Sequence, residues 1–470
     1  MNAMDKTFTV AVVGGGLAGS EAALTLANLG VAVRLYEMRP ASPTPVHRTD
    51  RCAELVCSNS LKSKKPDSAA GLLKAELEAL GSQVYAAAKR HEVAAGGAMA
   101  VDRVAFAEDV TACIEAHPLI EMVREEVCDL AALAQTVDGV VLATGPLTSD
   151  DLAASLAQLM GSEYLAFYDA AAPIVMADSL DQGKLFRQSR YEESEEGQTQ
   201  GDYLNAPMSK EEYDAFIEAL LQADRVMKKS FESKELFQAC QPVEEVARAG
   251  HDAPRFGSMK PVGLTDPTTG KRPWAVVQLR AEDAHGMSYN LVGFQTNLTF
   301  QEQKRVFSLI PGLENAEFAR YGVMHRNTFL DAPRLLDATG RLKGDAVRDL
   351  DAPVLVVGQL AGTEGYCEAI RSGLHGAFSL VSLLRGEEPP AVPRHMVFGA
   401  LMAYATDPGT VDYQPMHVNF GILEPLDPPV KNKRARYEAY AARANEALAG
   451  YCEALKERAL LRADEGEGER

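Results

Sequence analysis

Two kinds of residue in this sequence could do chemistry: cysteines among polar or basic neighbours, and glycines at the spacing of a phosphate-binding loop. Cys57 stands in Cys57-Ser58-Asn59-Ser60-Leu61-Lys62-Ser63-Lys64-Lys65, where nearby cations favour the thiolate and the polar neighbours are poor core material. Cys240 stands in Ala239-Cys240-Gln241-Pro242, just ahead of a proline that marks a helix boundary. A thiolate could add to an electrophilic carbon. Residue type alone leaves two readings open for each cysteine, nucleophile or inert buried thiol.

Gly14-Gly15-Gly16-Leu17-Ala18-Gly19 matches G-x-G-x-x-G. Phe8 to Val13 before it reads as a buried parallel strand, Ser20 to Leu29 after it has apolar residues at helical spacing, and Val31 to Tyr36 reads as a second strand. Together they form a βαβ unit of about 30 residues. The glycines allow a tight turn and let backbone N–H groups approach a pyrophosphate, and the helix N-terminus adds favourable partial charge. Glu37, closing the second strand, can accept ribose hydroxyls. With strand, helix and acid in register, a dinucleotide site is expected here.

Two later turns bear on which dinucleotide. Ala143-Thr144-Gly145 ends a strand over Gly139 to Leu142, and Gly358-Gln359-Leu360-Ala361-Gly362 lies between a strand over Val354 to Val357 and a helix over Glu368 to Leu383. The trio resembles the two-part FAD domain of glutathione-reductase-like flavoproteins, so FAD is expected rather than NAD. The fold expected is α/β: a Rossmann-type FAD-binding domain, discontinuous in sequence, with an inserted α+β domain. The boundaries expected are 1–162 and 337–470 for the FAD-binding parts and 163–336 for the insert, where short strand-like pieces such as Trp274 to Leu279 alternate with helices. Ser68 should cap a helix running to Leu80, Val101 to Val104 should be a short strand, and Tyr437 to Arg462 should be helical.

Cys52 and Cys57 also have the C-x4-C spacing of the redox disulfide in pyridine-nucleotide disulfide reductases. Against that reading, no second glycine-rich βαβ unit offers an NAD(P)H domain, and no C-terminal His-Pro pair supplies a thiol base. No second ligand pair stands at zinc spacing, so no metal is expected.

At 470 residues, 46% hydrophobic and 24% charged, the chain is long enough for two or three domains and too ordinary in composition for a disordered or fibrous protein. Seven scattered cysteines suggest free thiols. No apolar run is long enough to span a membrane and no secretory signal is readable, so a cytoplasmic protein is expected. A formal charge of −19 works against any partner bound through a global positive field. A nucleic acid would have to meet local patches, of which Lys431, Lys433, Arg434 and Arg436, with Lys62, Lys64 and Lys65, are the best.

Five blocks together resemble the folate- and FAD-dependent tRNA (uracil-5-)-methyltransferases: Gly14 to Gly19, Leu35-Tyr36-Glu37-Met38-Arg39-Pro40, Glu54-Leu55-Val56-Cys57-Ser58-Asn59-Ser60-Leu61, Gly358-Gln359 with Gly362 to Tyr366, and Gln414 to Gly421. The resemblance implies methylation of uracil C5 in the tRNA T loop, with 5,10-methylenetetrahydrofolate as carbon donor, FAD as hydride carrier and NAD(P)H regenerating the flavin. It implies catalytic roles for Cys57 and Cys240, without saying which is the nucleophile, and adds Arg39, Gly358, Gln359, Gly362 and Tyr366 to the cofactor residues. Cys52 departs from the family's usual aromatic, and Ala239 and Gln241 from a glycine and an apolar residue. Tyr289, Phe294 and Tyr366 could stack on pterin, uracil or flavin, or serve the core. The partners implied are tRNA and folate, with no DNA and no membrane. The rival readings are a flavoprotein that modifies wobble uridine with a carboxymethylaminomethyl group, a disulfide reductase on Cys52 and Cys57, and a flavin-bound RNA scaffold.

Overall fold

The structure is a computed structural model, and it describes residues 7–44, 47–55, 59–93, 97–161, 165–188, 203–226, 242–281, 286–344, 350–410 and 413–462, with backbone alone at 165–171 and 323–327. The chain divides into two compact units, Met1–Phe167 with Asn327–Arg470, and Tyr168–Arg326.

The first unit is built on a five-stranded sheet in the order Val354–Val356, Gly139–Leu142, Thr9–Val13, Ala32–Tyr36, Ile120–Val123, every neighbouring pair parallel. Val10 to Val13 are buried at the sheet's centre, as an unbroken apolar run requires when helices cover both faces. The Leu17–Asn28 helix packs on the Tyr366–Leu384 helix through small residues. At Gly373 a Cβ would stand 2.3 Å from the Ala18 carbonyl oxygen, so only glycine allows that approach.

A second, three-stranded antiparallel sheet joins Ser60–Ser63, Ala98–Val101 and Glu92–Val93. The strand expected at Val101 to Val104 therefore ends at Val101, because Asp102 turns the chain by capping the Arg103–Glu115 helix through the N–H groups of Val104 and Ala105. Ser68 caps the Ala69–Ala79 helix by accepting from Gly71 N–H, and Asn432 caps the Lys433–Glu457 helix through Ala435 N–H. Buried Glu21 takes the Ser82 hydroxyl and the N–H groups of Gln83 and Val84, closing the N-terminus of the Gln83–Arg90 helix. Burial pushes its carboxyl pKa up despite those hydrogen bonds.

The second unit is α+β, with a six-stranded sheet ordered Phe186–Arg187, Tyr203–Met208, Ala275–Ala281, Ser288–Leu291, Ile174–Met176, Phe318–Arg320, antiparallel throughout. The Lys210–Gln222 helix starts in a capping box between Ser209 and Glu212. It buries Phe216 against Phe294 and Phe307, ring centroids 6.1 and 6.5 Å away. Tyr289 and Phe294 lie in this core at 1% and 0% exposure, so neither offers a stacking face to a ligand.

Candidate functional site

The central strand Thr9–Val13 runs into Gly14, whose φ is +102° and where a Cβ would stand 2.7 Å from the Ala143 carbonyl oxygen. The first glycine loop thus touches the backbone of the Ala143-Thr144-Gly145 turn. A Cβ at Gly19 would fall 1.8 Å from the Gly14 carbonyl oxygen, which fixes how closely the helix follows the strand. At Gly16, the N-cap of the Leu17–Asn28 helix, a Cβ would meet nothing within 4 Å. That cap has no side-chain hydrogen bond and no acid in its first turn. The helix therefore presents uncapped N–H groups and positive partial charge to open space, an anion cradle.

Beside it, Glu37 Oε2 accepts the Gly15 N–H at 2.9 Å, and Oε1 accepts Arg39 N–H at 3.0 Å and Arg39 Nε at 2.8 Å. Burial pushes the Glu37 carboxyl up, but Arg39's hydrogen bond and charge outweigh it, so the group lies below its ordinary value and is ionised. Arg39, expected among the cofactor ligands, is 3% exposed and engaged within the protein. Besides Glu37 it holds Glu54 Oε2 at 3.1 Å and the carbonyls of Thr49 and Arg51 at 3.0 and 3.1 Å. Its visible work is to fix Glu37 and tie down the loop leading to Cys52.

The third turn follows Val354–Val356. Gly358 has φ +71° and would carry a Cβ 3.0 Å from Ala18 Cβ, so this turn abuts the first loop. Gly362 has φ +82° and leaves room for Tyr413, whose hydroxyl donates to Ala361 O at 3.2 Å. Met416 N–H donates to Gly362 O at 3.1 Å and Glu364 N–H to Met416 O at 3.0 Å, laying the Gln414 to Gly421 block along the turn. Gln359 and Tyr366 are half-buried here. Three glycine turns and one C-terminal block therefore meet at the carboxyl ends of parallel strands, where open α/β sheets bind ligands.

Cys57 and Cys240 both lie outside the described residues. Directly after Cys57, Asn59 is fixed by paired contacts with Val101, Nδ2 to O at 3.1 Å and Val101 N–H to Asn59 O at 3.0 Å. The Ser60–Ser63 strand that continues from it is fastened to the start of the Tyr366–Leu384 helix: Lys62 Nζ lies 3.5 Å from Glu368 Oε1. Directly after Cys240, Pro242 caps the Val243–Ala249 helix in the second unit. There buried Glu244 accepts from Thr296 Oγ1 at 2.8 Å and Asn297 N–H at 2.6 Å.

Cys52 is a free thiol, fully buried under the first loop, its Sγ 3.2 Å from where a Gly15 Cβ would be. Burial pushes it up to about 12, with the Glu37 charge adding to the effect. A thiol held neutral is a poor half of a redox disulfide. Sequence reasoning took Lys62 only as part of a basic patch and missed its pairing with Glu368, as it missed Tyr413, because no local pattern marks either contact. Of the basic residues singled out, Lys64 pairs with Glu92 and Arg434 with Glu438, while Lys433 and Arg436 lie 5.6 and 5.9 Å from the Tyr437 ring centre. Among the described residues no helix is long and apolar enough to cross a membrane.

The cradle at Gly16, the ionised Glu37 and the tightly apposed third turn fit a bound dinucleotide flavin. Residues 9–388 match the family described as glucose inhibited division protein A. A protein of Moorella thermoacetica named "Methylenetetrahydrofolate--tRNA-(uracil-5-)-methyltransferase TrmFO" is 50% identical over 437 residues, 93% of this chain and 97% of its own. The protein of the same name in Geobacter sulfurreducens is 52% identical over 432 residues, 92% of this chain and 96% of its own. Among solved structures, Aquifex aeolicus GidA is similar at a TM-score of 0.52 and 17% identity over 98% of this chain and 77% of that one, which speaks to the fold.

Proposed function

The chain belongs to the methylenetetrahydrofolate-dependent tRNA (uracil-5-)-methyltransferase family, and from that premise we propose that it forms ribothymidine in the T loop of tRNA in the cytoplasm. It moves the methylene carbon of 5,10-methylenetetrahydrofolate to C5 of uracil. The observation that carries this reading is the meeting of the three glycine turns and the Gln414 to Gly421 block beside the strand that continues from Cys57.

Uracil C5 is a weak nucleophile until a thiolate adds to C6 and makes an enolate, which attacks the folate methylene. Cys57 and Cys240 supply the two thiols this needs: one adds at C6, and the other takes the C5 proton once the new carbon bond has formed. Loss of that proton expels the tetrahydrofolate nitrogen from the transferred carbon and leaves an exocyclic methylene at C5; hydride then adds to this carbon as the C6 sulfur leaves, which restores the C5–C6 double bond. Bound FAD, re-reduced by NAD(P)H, supplies that hydride. The chain's own part is to hold the pyrophosphate on the uncapped N–H groups at the start of the Leu17–Asn28 helix, the ribose on Glu37, and the flavin ring against Gly358 to Tyr366. Cys52, neutral and buried, takes no part.

The test is incubation of purified protein with unmodified tRNA, methylenetetrahydrofolate and NAD(P)H, followed by nucleoside analysis. Ribothymidine is expected, and 5-fluorouracil-substituted tRNA should form a covalent adduct that disappears when the nucleophilic cysteine is replaced by alanine. A yellow holoenzyme that makes neither product nor adduct overturns the reading.

A further inference from the structure

We infer that Lys62 and Glu368 form a positioning pair that fixes the Ser60–Ser63 strand, which begins three residues after Cys57 in the sequence, against the flavin turn, an inference that rests on the function just proposed. Lys62 has φ +66°, a left-handed conformation that disfavours any residue with a Cβ. It sits where pairing with the neighbouring strand slips. Ser60 faces Ala100 and Ser63 faces Ala98, so three steps on one strand match two on the other, which is a β-bulge. Bulges re-aim side chains, and this one delivers the Lys62 ammonium to Glu368 Oε1 at 3.5 Å.

Glu368 is 1% exposed, in the first turn of the Tyr366–Leu384 helix. The oxygen facing Lys62 also accepts Val418 N–H at 3.2 Å, which belongs to the Gln414 to Gly421 block. Its other oxygen would stand 2.3 Å from a Cβ at Gly365, where the Lys62 ammonium would be 3.3 Å away. One buried carboxylate thus joins the strand after Cys57, the start of the helix behind the third turn, and the C-terminal block. A strained backbone kept at a residue other than glycine is explained if the lysine's position is what the fold keeps.

The test uses full-length, FAD-loaded Lys62→Gly, Lys62→Arg, Glu368→Gln and a Lys62→Met/Glu368→Gln double variant. Glycine relieves the strain, so Lys62→Gly should keep its melting temperature and its flavin content. Its kcat for ribothymidine formation and its rate of 5-fluorouracil-tRNA adduct formation should fall about 10- to 100-fold, as expected for a displaced reacting group, with KM for tRNA nearly unchanged. Lys62→Arg should restore much of the rate, and the double variant should be no worse than the poorer single one, because the pair acts as a unit. Wild-type kcat in both Lys62→Gly and Glu368→Gln overturns the inference. So does a loss confined to KM for tRNA, which would make Lys62 a phosphate contact, or a loss that only tracks lost flavin. Should Glu368→Gln not fold, Lys62→Gly and Lys62→Arg decide alone. Failure of the wild-type protein to methylate tRNA would sink the proposed function instead.

Discussion

Glu37 Oε2 receives the Gly15 N–H at 2.9 Å while Arg39 Nε grips its other oxygen at 2.8 Å, so the carboxylate beside the first loop is fixed from both sides. Glu37→Gln would keep the first contact and break the ion pair with buried Arg39. The expected loss is about 3 kcal/mol of unfolding free energy at pH 7, read from urea titration. The sign with pH follows from the lowered carboxyl. The wild-type advantage should be full above the ordinary value of 4.5 and should fade as pH drops below it through the folded-state value. An advantage that grew with acid would contradict the assignment.

Gly16 and Gly19 should respond oppositely to alanine. A Cβ at Gly19 collides with the Gly14 carbonyl, and the variant should be destabilised by several kcal/mol or fail to accumulate. A Cβ at Gly16 meets no protein atom within 4 Å, so Gly16→Ala should fold like the wild type. It should bind FAD at least about tenfold more weakly, roughly 1.4 kcal/mol, because the new methyl group fills the anion cradle. Fluorescence titration of the apoprotein with FAD measures this.

Cys52→Ala should cost about 1 kcal/mol of stability and leave ribothymidine formation near the wild-type rate. Iodoacetamide at pH 8 should leave Cys52 unmodified in the native protein, since its thiol is held neutral. Mass spectrometry of tryptic peptides reads this out. Loss of turnover in Cys52→Ala would revive a disulfide mechanism.

Replacing Lys431, Lys433, Arg434 and Arg436 by glutamine should weaken tRNA binding and flatten its dependence on salt, by roughly 0.7 to 0.9 in the log–log slope for each phosphate contact removed. Arg434 should matter least, because Glu438 already holds it at 2.9 Å. Unchanged affinity across 50 to 200 mM salt, roughly the range over which such contacts tell, would exclude this surface.

What could be read in the sequence was local. Gly14 and Gly358 announce their turns because left-handed backbone and close approach demand glycine, and the strands and helices around them follow from apolar spacing. Ser68 marked its helix because a serine cap acts within one turn. The small sheet was missed because strands as short as Glu92–Val93 hold no period. Arg39's inward fork depends on a proline-rich loop whose path no spacing dictates. The left-handed turn at Lys62 was invisible because its reason, Glu368, lies far along the chain. Tyr289 and Phe294 fitted either stacking or the core by type alone, and their burial in the second unit decides for the core. Cys57 and Cys240 rested on family resemblance, since polar neighbours alone do not separate a nucleophile from a resting thiol.

The Gly373 to Ala18 contact sets an order of assembly. The first loop emerges early from the ribosome, but the helix that backs it and the turn that abuts it are made only after the whole second unit has been translated. A nascent chain therefore carries an unfinished nucleotide fold through most of its synthesis, and flavin loading becomes a sign of completed translation. Chains truncated before Leu384 should emerge colourless, whatever becomes of their second unit.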